Sequence, residues 1–220
     1  MTAAEEIKGL LIKTGGWLEH GHFVFTNGDH SDTYVNKDAL YAHAEYASRL
    51  GEAMAQAMRD WNVEVVVSPA LGGIVLTQWA AYHLGRLVGR EVLAVYAEKQ
   101  GEGPAKRFAL TRGYGQLVKG HRVGVVEDNL TTGSSVRKVV ELVRDTGGEV
   151  VGVVAMLNRG GLKRAAVGNP PHFVSIVEAE LASWPAQECQ LCARGVPINT
   201  NAGKGKLFIE AQGAQKGQDA

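Results

Sequence analysis

The chain predicts an α/β fold, a mostly parallel sheet flanked by helices on both faces, on three observations. Apolar, β-branched runs alternate with helical patterns from Ala44 to Val177. Glycine or hydroxyl-rich turns separate them, as tight βα connections require. The 220 residues are 45% hydrophobic and 21% charged, enough apolar content for one substantial core.

The elements follow in order. Ile7, Leu10 and Leu11 put one apolar stripe on a helix over Ala3 to Lys13, which Thr14-Gly15-Gly16 stops. Gly21–Phe25 and Tyr34–Asp38 read as two short strands around the polar turn Thr26 to His30, forming a small flap. Ala44–Arg59 is a helix rich in alanine and methionine, and Val63–Val67 a buried strand. Ser68 to Gly73 forms a glycine turn into a helix over Ile74–Leu87, and Val92–Tyr96 is the next strand. Ala97 to Gly120 is a long basic, glycine-bearing connection in which Phe108–Leu110 makes a brief hairpin arm; such connections are more often lids than idle loops. Strands over Val123–Val126, Glu149–Leu157 and Phe173–Val177 complete the sheet, with a helix over Val136–Asp145.

Chemistry concentrates in Val123 to Ser135. A strand ends in Glu127 and Asp128, and a turn of Thr131, Thr132, Gly133, Ser134 and Ser135 leads into a helix. Carboxylates at a strand's carboxyl end suit a sugar diol or hydrated Mg²⁺, and hydroxyls with free N–H groups at a helix start suit phosphate. Taken singly, each half is what an ordinary strand end or N-cap presents; adjacent, they describe a site for a phosphorylated sugar. The acidic segment of a P-loop nucleotidase is excluded because no G-x-x-x-x-G-K-[ST] occurs. Gly72 and Gly73 offer a second anion-binding turn.

Val123 to Ser135 resembles the phosphoribosyl pyrophosphate signature of the type I phosphoribosyltransferases, and the chain from about Gly21 to Gly161 is similar to their orotate branch. The resemblance implies that Glu127 and Asp128 hold the ribose hydroxyls, Thr131 to Ser135 the 5-phosphate, and Leu71 and Gly72 the pyrophosphate. Lys99 would face the developing charge, with Lys106 and Arg107 in the flexible loop. Gly28, Ser31, Tyr34, Asn36 and Lys37 match the hood of that branch, which with Arg159 would bind a carboxylated base. Orotate enzymes usually carry Arg-Lys, then Lys-x-His-Gly in the loop and Asp-Arg after the later strand. Here the residues are Glu98-Lys99, Lys106-Arg107 without a loop histidine, and Asn158-Arg159. Implied with the family are Mg²⁺, a homodimer sharing the loop, and transfer of phosphoribose to orotate. A salvage enzyme for another base and a non-catalytic sensor of phosphoribosyl pyrophosphate are the alternatives.

Lys plus Arg equal Asp plus Glu at 23 each, so no global field favours nucleic acid or an anionic membrane. No apolar run is long enough for a span, and the start lacks signal-peptide features, so a cytoplasmic protein is expected. His20 and His22 lack nearby ligands at metal spacing. Cys189 and Cys192 form a lone C-x-x-C, half of a zinc site that would need histidine partners or a symmetry mate, and read as reduced thiols; no metal ligands are assigned. The expected organisation is a domain over 1–198, with a hood from about 15–40 and a core over about 41–180, and a tail over 199–220.

Overall fold

The computed structural model describes residues 1–101 and 107–216. They divide into two compact units, one of Met1–Ile7 with Tyr41–Glu180, the other of Lys8–Leu40 with Leu181–Ala220.

Helix α1 (Ala3–Lys13) starts on a reciprocal cap, in which Thr2 N–H donates to Glu5 Oε2 at 2.7 Å and Glu5 N–H to Thr2 Oγ1 at 3.2 Å. Its stripe of Ile7, Leu10 and Leu11 is buried. Four two-residue strands follow: β1 (Trp17–Leu18), β2 (Phe23–Val24), β3 (His30–Ser31) and β4 (Tyr34–Val35), then the short helix α2 (Lys37–Tyr41). The predicted flap strands do not pair with each other. The β2 strand pairs antiparallel with β3, and β1 with β4. Phe25 N–H to Asp29 O and Gly28 N–H to Phe25 O close the intervening turn tightly, so the chain doubles back at His30, before Tyr34.

The next elements are helix α3 (Ala44–Met58), strand β5 (Val65–Pro69), helix α4 (Gly73–Val88), strands β6 (Leu93–Gln100) and β7 (Arg107–Ala109), and short helix α5 (Tyr114–Val118). Strand β8 (Arg122–Leu130), helix α6 (Ser134–Asp145), strand β9 (Glu149–Asn158) and strand β10 (His172–Glu178) complete the first unit. Its six-stranded sheet has the order β10-β9-β8-β5-β6-β7, parallel except for β7. Alternate strand residues face opposite layers, as the pleat dictates. Val65, Val67, Val123, Val125 and Val153 share one core with Val136, Val139, Val140 and Val143 of α6. Both faces are covered, so β5, β8 and β9 are apolar almost throughout.

In the second unit, helices α7 (Gln190–Ala193) and α8 (Gly205–Lys216) join the four short strands. The segment expected as a tail carries α8, and residues 181–198, expected in the domain but outside its hood and core, fall in the same unit as residues 8–40. Backbone bonds run both ways between His30 and Trp184, at 2.7 and 2.9 Å. Ser31 Oγ–H donates to Ala182 O at 2.7 Å.

Candidate active site

Strands β5 and β8 lie side by side, but their crossovers part: β5 leads through α4 to β6 on one side, β8 through α6 to β9 on the other. Such a switch point opens a crevice beyond the carboxyl ends of the strands. Pairing between the two ends at Val67 and Val125, whereas β8 continues against β9 as far as Leu130. Glu127 and Asp128 thus sit on a strand whose β5-facing edge is open. The sequence placed the strand end at Val126; pairing of Glu127 with Ala155 and of Asn129 with Leu157 carries it further.

A cavity of 270 Å³ occupies the crevice, and ten of the residues expected to bind or react line it. They are Leu71 and Gly72, Lys99, Glu127 and Asp128, and Thr131 to Ser135. The β5–α4 turn supplies Leu71, an apolar side chain 83% exposed, after the cis peptide bond Ala70–Leu71. Helix α4 approaches this turn closely, since a Cβ on Gly73 would lie 2.5 Å from that of Ser68.

Both acids are braced by the backbone that follows them. Asp128 N–H donates to Glu127 Oε1 at 3.0 Å, and Asn129 N–H to Asp128 Oδ1 at 2.5 Å. Glu127 is buried and Asp128 half-buried. Beyond them Gly133, with φ +74°, turns the chain into α6; a Cβ there would meet Ala166 O at 2.7 Å. Gly133 has no side chain to cap the helix, Ser134 N–H donates to Thr132 Oγ1 at 3.4 Å, and Thr131, Thr132, Ser134 and Ser135 line the cavity, a helix start suited to an anion.

Lys99 comes from the β6–β7 hairpin, paired with Phe108 and with Nζ 5.7 Å from that ring's centroid. Arg107 lines an adjoining recess with Lys99, Phe108, Ser134, Ser135 and Lys138. Lys106 lies outside the described residues. The hairpin base is clasped by Glu98, which accepts from Thr111 Oγ1 at 2.5 Å and from Arg112 Nη2 and Nε at 3.0 and 3.2 Å. The Thr111 hydroxyl first, and the Arg112 guanidinium second, hold the Glu98 carboxyl below its usual range. The arm expected over Phe108–Leu110 is met by β7, and α5 follows it within the same connection.

Residues 36–188 match the family model of the phosphoribosyl transferase domain. The chain belongs to the phosphoribosyltransferase family. Among curated phosphoribosyltransferases, the orotate phosphoribosyltransferase of Caldanaerobacter subterraneus is 38% identical over 181 residues, covering 82% of this chain and 88% of that one. That of Thermotoga maritima is 36% identical over 200 residues, covering 90% and 98%. The crystal structure of the Mycobacterium tuberculosis orotate phosphoribosyltransferase with 5-phospho-α-D-ribosyl 1-diphosphate is 25% identical with a TM-score of 0.60, covering 80% of this chain and 96% of that one. An adenine phosphoribosyltransferase from Thermoanaerobacter pseudethanolicus, 18% identical with a TM-score of 0.57 over 79% and 98%, shares the fold.

Other expected phosphoribosyltransferase residues lie outside the cavity wall. Arg159 follows β9, its N–H donating to Leu130 O at 3.1 Å. Asn158, where the orotate branch carries Asp, is buried and bonds Leu162 twice: Nδ2–H donates to its O at 3.0 Å and Oδ1 accepts its N–H at 2.9 Å. An aspartate could make only the second bond. Ser31, Tyr34 and Lys37 fall in the second unit as divided. Ser31 is buried, Tyr34 packs 5.7 and 6.2 Å from the rings of Phe23 and Phe25, and Lys37 lies 3.4 Å from Asp38. Lys138 was missed from sequence. Its signal was available: it stands four residues after Ser134, on the same face of α6.

Proposed function

We propose that the chain transfers the 5-phosphoribosyl group of phosphoribosyl pyrophosphate to orotate, giving orotidine monophosphate and pyrophosphate in pyrimidine biosynthesis. One observation supports this most: a paired acid strand, a hydroxyl-lined helix start and a glycine turn open onto one cavity beside a lysine. The names of the relatives, orotate phosphoribosyltransferases over most of both chains, give the base.

In this reading the ring nitrogen of orotate bonds to ribose C1 as the bond from C1 to the pyrophosphate oxygen breaks. Positive charge develops on the sugar, as in glycoside cleavage. Glu127 and Asp128 accept hydrogen bonds from the ribose hydroxyls, and Thr131 to Ser135 with the α6 N-terminus hold the 5-phosphate. The turn at Leu71 and Gly72 receives the pyrophosphate, and Lys99, with Lys106 and Arg107, neutralises its growing charge. Two carboxylates form the hard-oxygen donor set that Mg²⁺ takes, and the bound ion would supply further neutralisation of the leaving group. Arg159 provides the planar fork that matches a carboxylated base. The assignment of Ser31, Tyr34 and Lys37 to the base rests on the family resemblance alone. That resemblance also supports a cytoplasmic homodimer sharing the 97–120 connection. Among the described residues no helix is long and apolar enough to cross a membrane.

The test is to follow loss of orotate absorbance and release of pyrophosphate in a Mg²⁺-dependent assay. Turnover of orotate in preference to adenine, hypoxanthine and uracil is expected. Arg159→Ala should raise the KM for orotate about 10- to 100-fold, the value of one charge-assisted contact, leaving that for phosphoribosyl pyrophosphate near its original level. Binding of phosphoribosyl pyrophosphate without turnover of any base would replace this reading with a sensor.

A further inference from the structure

Four potential ligand atoms meet inside the second unit, from two pairs of residues far apart in sequence. They belong to His22, which directly precedes β2, to His30 on β3, and to Cys189 and Cys192 around α7, and all lie within 4.8 Å of one another. His22 Nε2 is 2.7 Å from His30 Nδ1. Cys189 Sγ is 3.6 Å from His22 Nε2, and Cys192 Sγ is 3.7 Å from that nitrogen and 3.4 Å from His30 Nδ1.

We propose that His22, His30, Cys189 and Cys192 form a four-coordinate structural zinc site. The distances carry the geometry. Bonds of about 2.3 Å to sulfur and 2.0–2.1 Å to nitrogen give tetrahedron edges of about 3.5 Å between sulfur and nitrogen. Three of the four sulfur–nitrogen edges, at 3.4, 3.6 and 3.7 Å, fall within about 0.2 Å of that value. The two nitrogens need to part by about 0.6 Å to reach their own edge, a small rotation of either ring.

The surroundings select the same atoms. His22 Nδ1–H donates to Val196 O at 2.7 Å, which fixes the tautomer and leaves the Nε2 lone pair directed at the cluster. His22, His30 and Cys189 are each no more than 3% exposed, and the Phe208 ring stands edge-on to His30 at 4.8 Å. Two imidazoles and a thiol share this dry place, where one bound cation would serve all three. Two thiolates and one divalent cation are jointly neutral there. Two sulfurs and two nitrogens select zinc over Mg²⁺ or Ca²⁺, and four protein ligands leave no open position for catalysis. Cys192 reaches the surface, which provides a route for the ion. His20, the other histidine considered from sequence, is exposed and outside the cluster.

The role follows from connectivity. His22 and Cys189 stand 167 residues apart, so one ion would fasten the β2–β3 hairpin to the 184–196 segment. Untagged full-length protein, expressed with zinc and dialysed against metal-free buffer, should retain one zinc per chain by elemental analysis. Cys189→Ser and His30→Ala should each lose it. Exchange of the wild-type metal for Co²⁺ should give the intense visible bands of a tetrahedral ion and thiolate-to-cobalt charge transfer in the near ultraviolet. That spectrum stands whether or not the variants fold. Absence of zinc, with both thiols titrating freely in the native protein or found as a disulfide, overturns the proposal. So does an octahedral cobalt spectrum.

Discussion

Asp128 shows how a single side chain can be tested without disturbing the fold. Its Oδ1 accepts the Asn129 N–H, a bond that an asparagine oxygen keeps. Asp128→Asn should therefore leave the melting temperature near that of the parent while removing a charged acceptor for the ribose. A loss of about 10- to 100-fold in kcat/KM is expected from steady-state kinetics. Gly133→Ala acts in the opposite sense. The left-handed backbone alone disfavours a Cβ by about 1–2 kcal/mol, and the approach to Ala166 O adds to it. Calorimetry should record a fall of at least about 2 °C in melting temperature, together with weaker phosphoribosyl pyrophosphate binding. At this scale the sequence was most legible where chemistry is local. Glu127, Asp128 and Thr131 to Ser135 fall within nine residues of chain, so strand polarity and helix start placed them without any tertiary knowledge. The recess that Lys138 lines with Lys99 and Arg107 depends on where the β6–β7 hairpin lies against α6, which helical spacing alone does not give.

Elements of the sheet were legible because burial on both faces leaves long apolar runs, bounded by glycine. Their ends were less so: Glu127 to Leu130 look like a polar turn, yet pairing with β9 holds them in the strand. The hairpin β6–β7 is a case where an element depends on one side chain. Glu98 ties the base of the connection through Thr111 and Arg112. Glu98→Gln should raise amide hydrogen exchange at 111–113 several-fold at neutral pH and shift the melting temperature by no more than about 1 °C, since exposed pairs contribute little to global stability. The folded pKa of Glu98 lies below its unfolded value, so the clasp is complete above the ordinary carboxylate range. It weakens as pH falls through the lowered value. Wild-type protein in acid should then show the same local loosening as the variant.

At the scale of the molecule, the alternation of strands and helices foretold the parallel sheet, but not the second unit. Nothing in Gly21 to Lys37 signals a partner near residue 184, because short polar hairpins carry no long-range address. Isolated two-stranded hairpins are marginal in water, so β2–β3 needs the segment that holds His30 and Ser31. A chain ending at Glu180 should become sensitive within residues 8–40. Trypsin should cut it at Lys13 and Lys37 about ten times faster than the full chain, as read by mass spectrometry.

The bond from Ser31 to Ala182 spans 151 residues. During synthesis at about 5–20 residues per second, the hairpin must wait about 8 to 30 s for its partner to be made. Phe23, Val24 and Phe25, buried once the unit is complete, stay uncovered on the nascent chain for that interval. Ribosome-associated chaperones would meet the hood first as an apolar hairpin, and only much later as a folded unit.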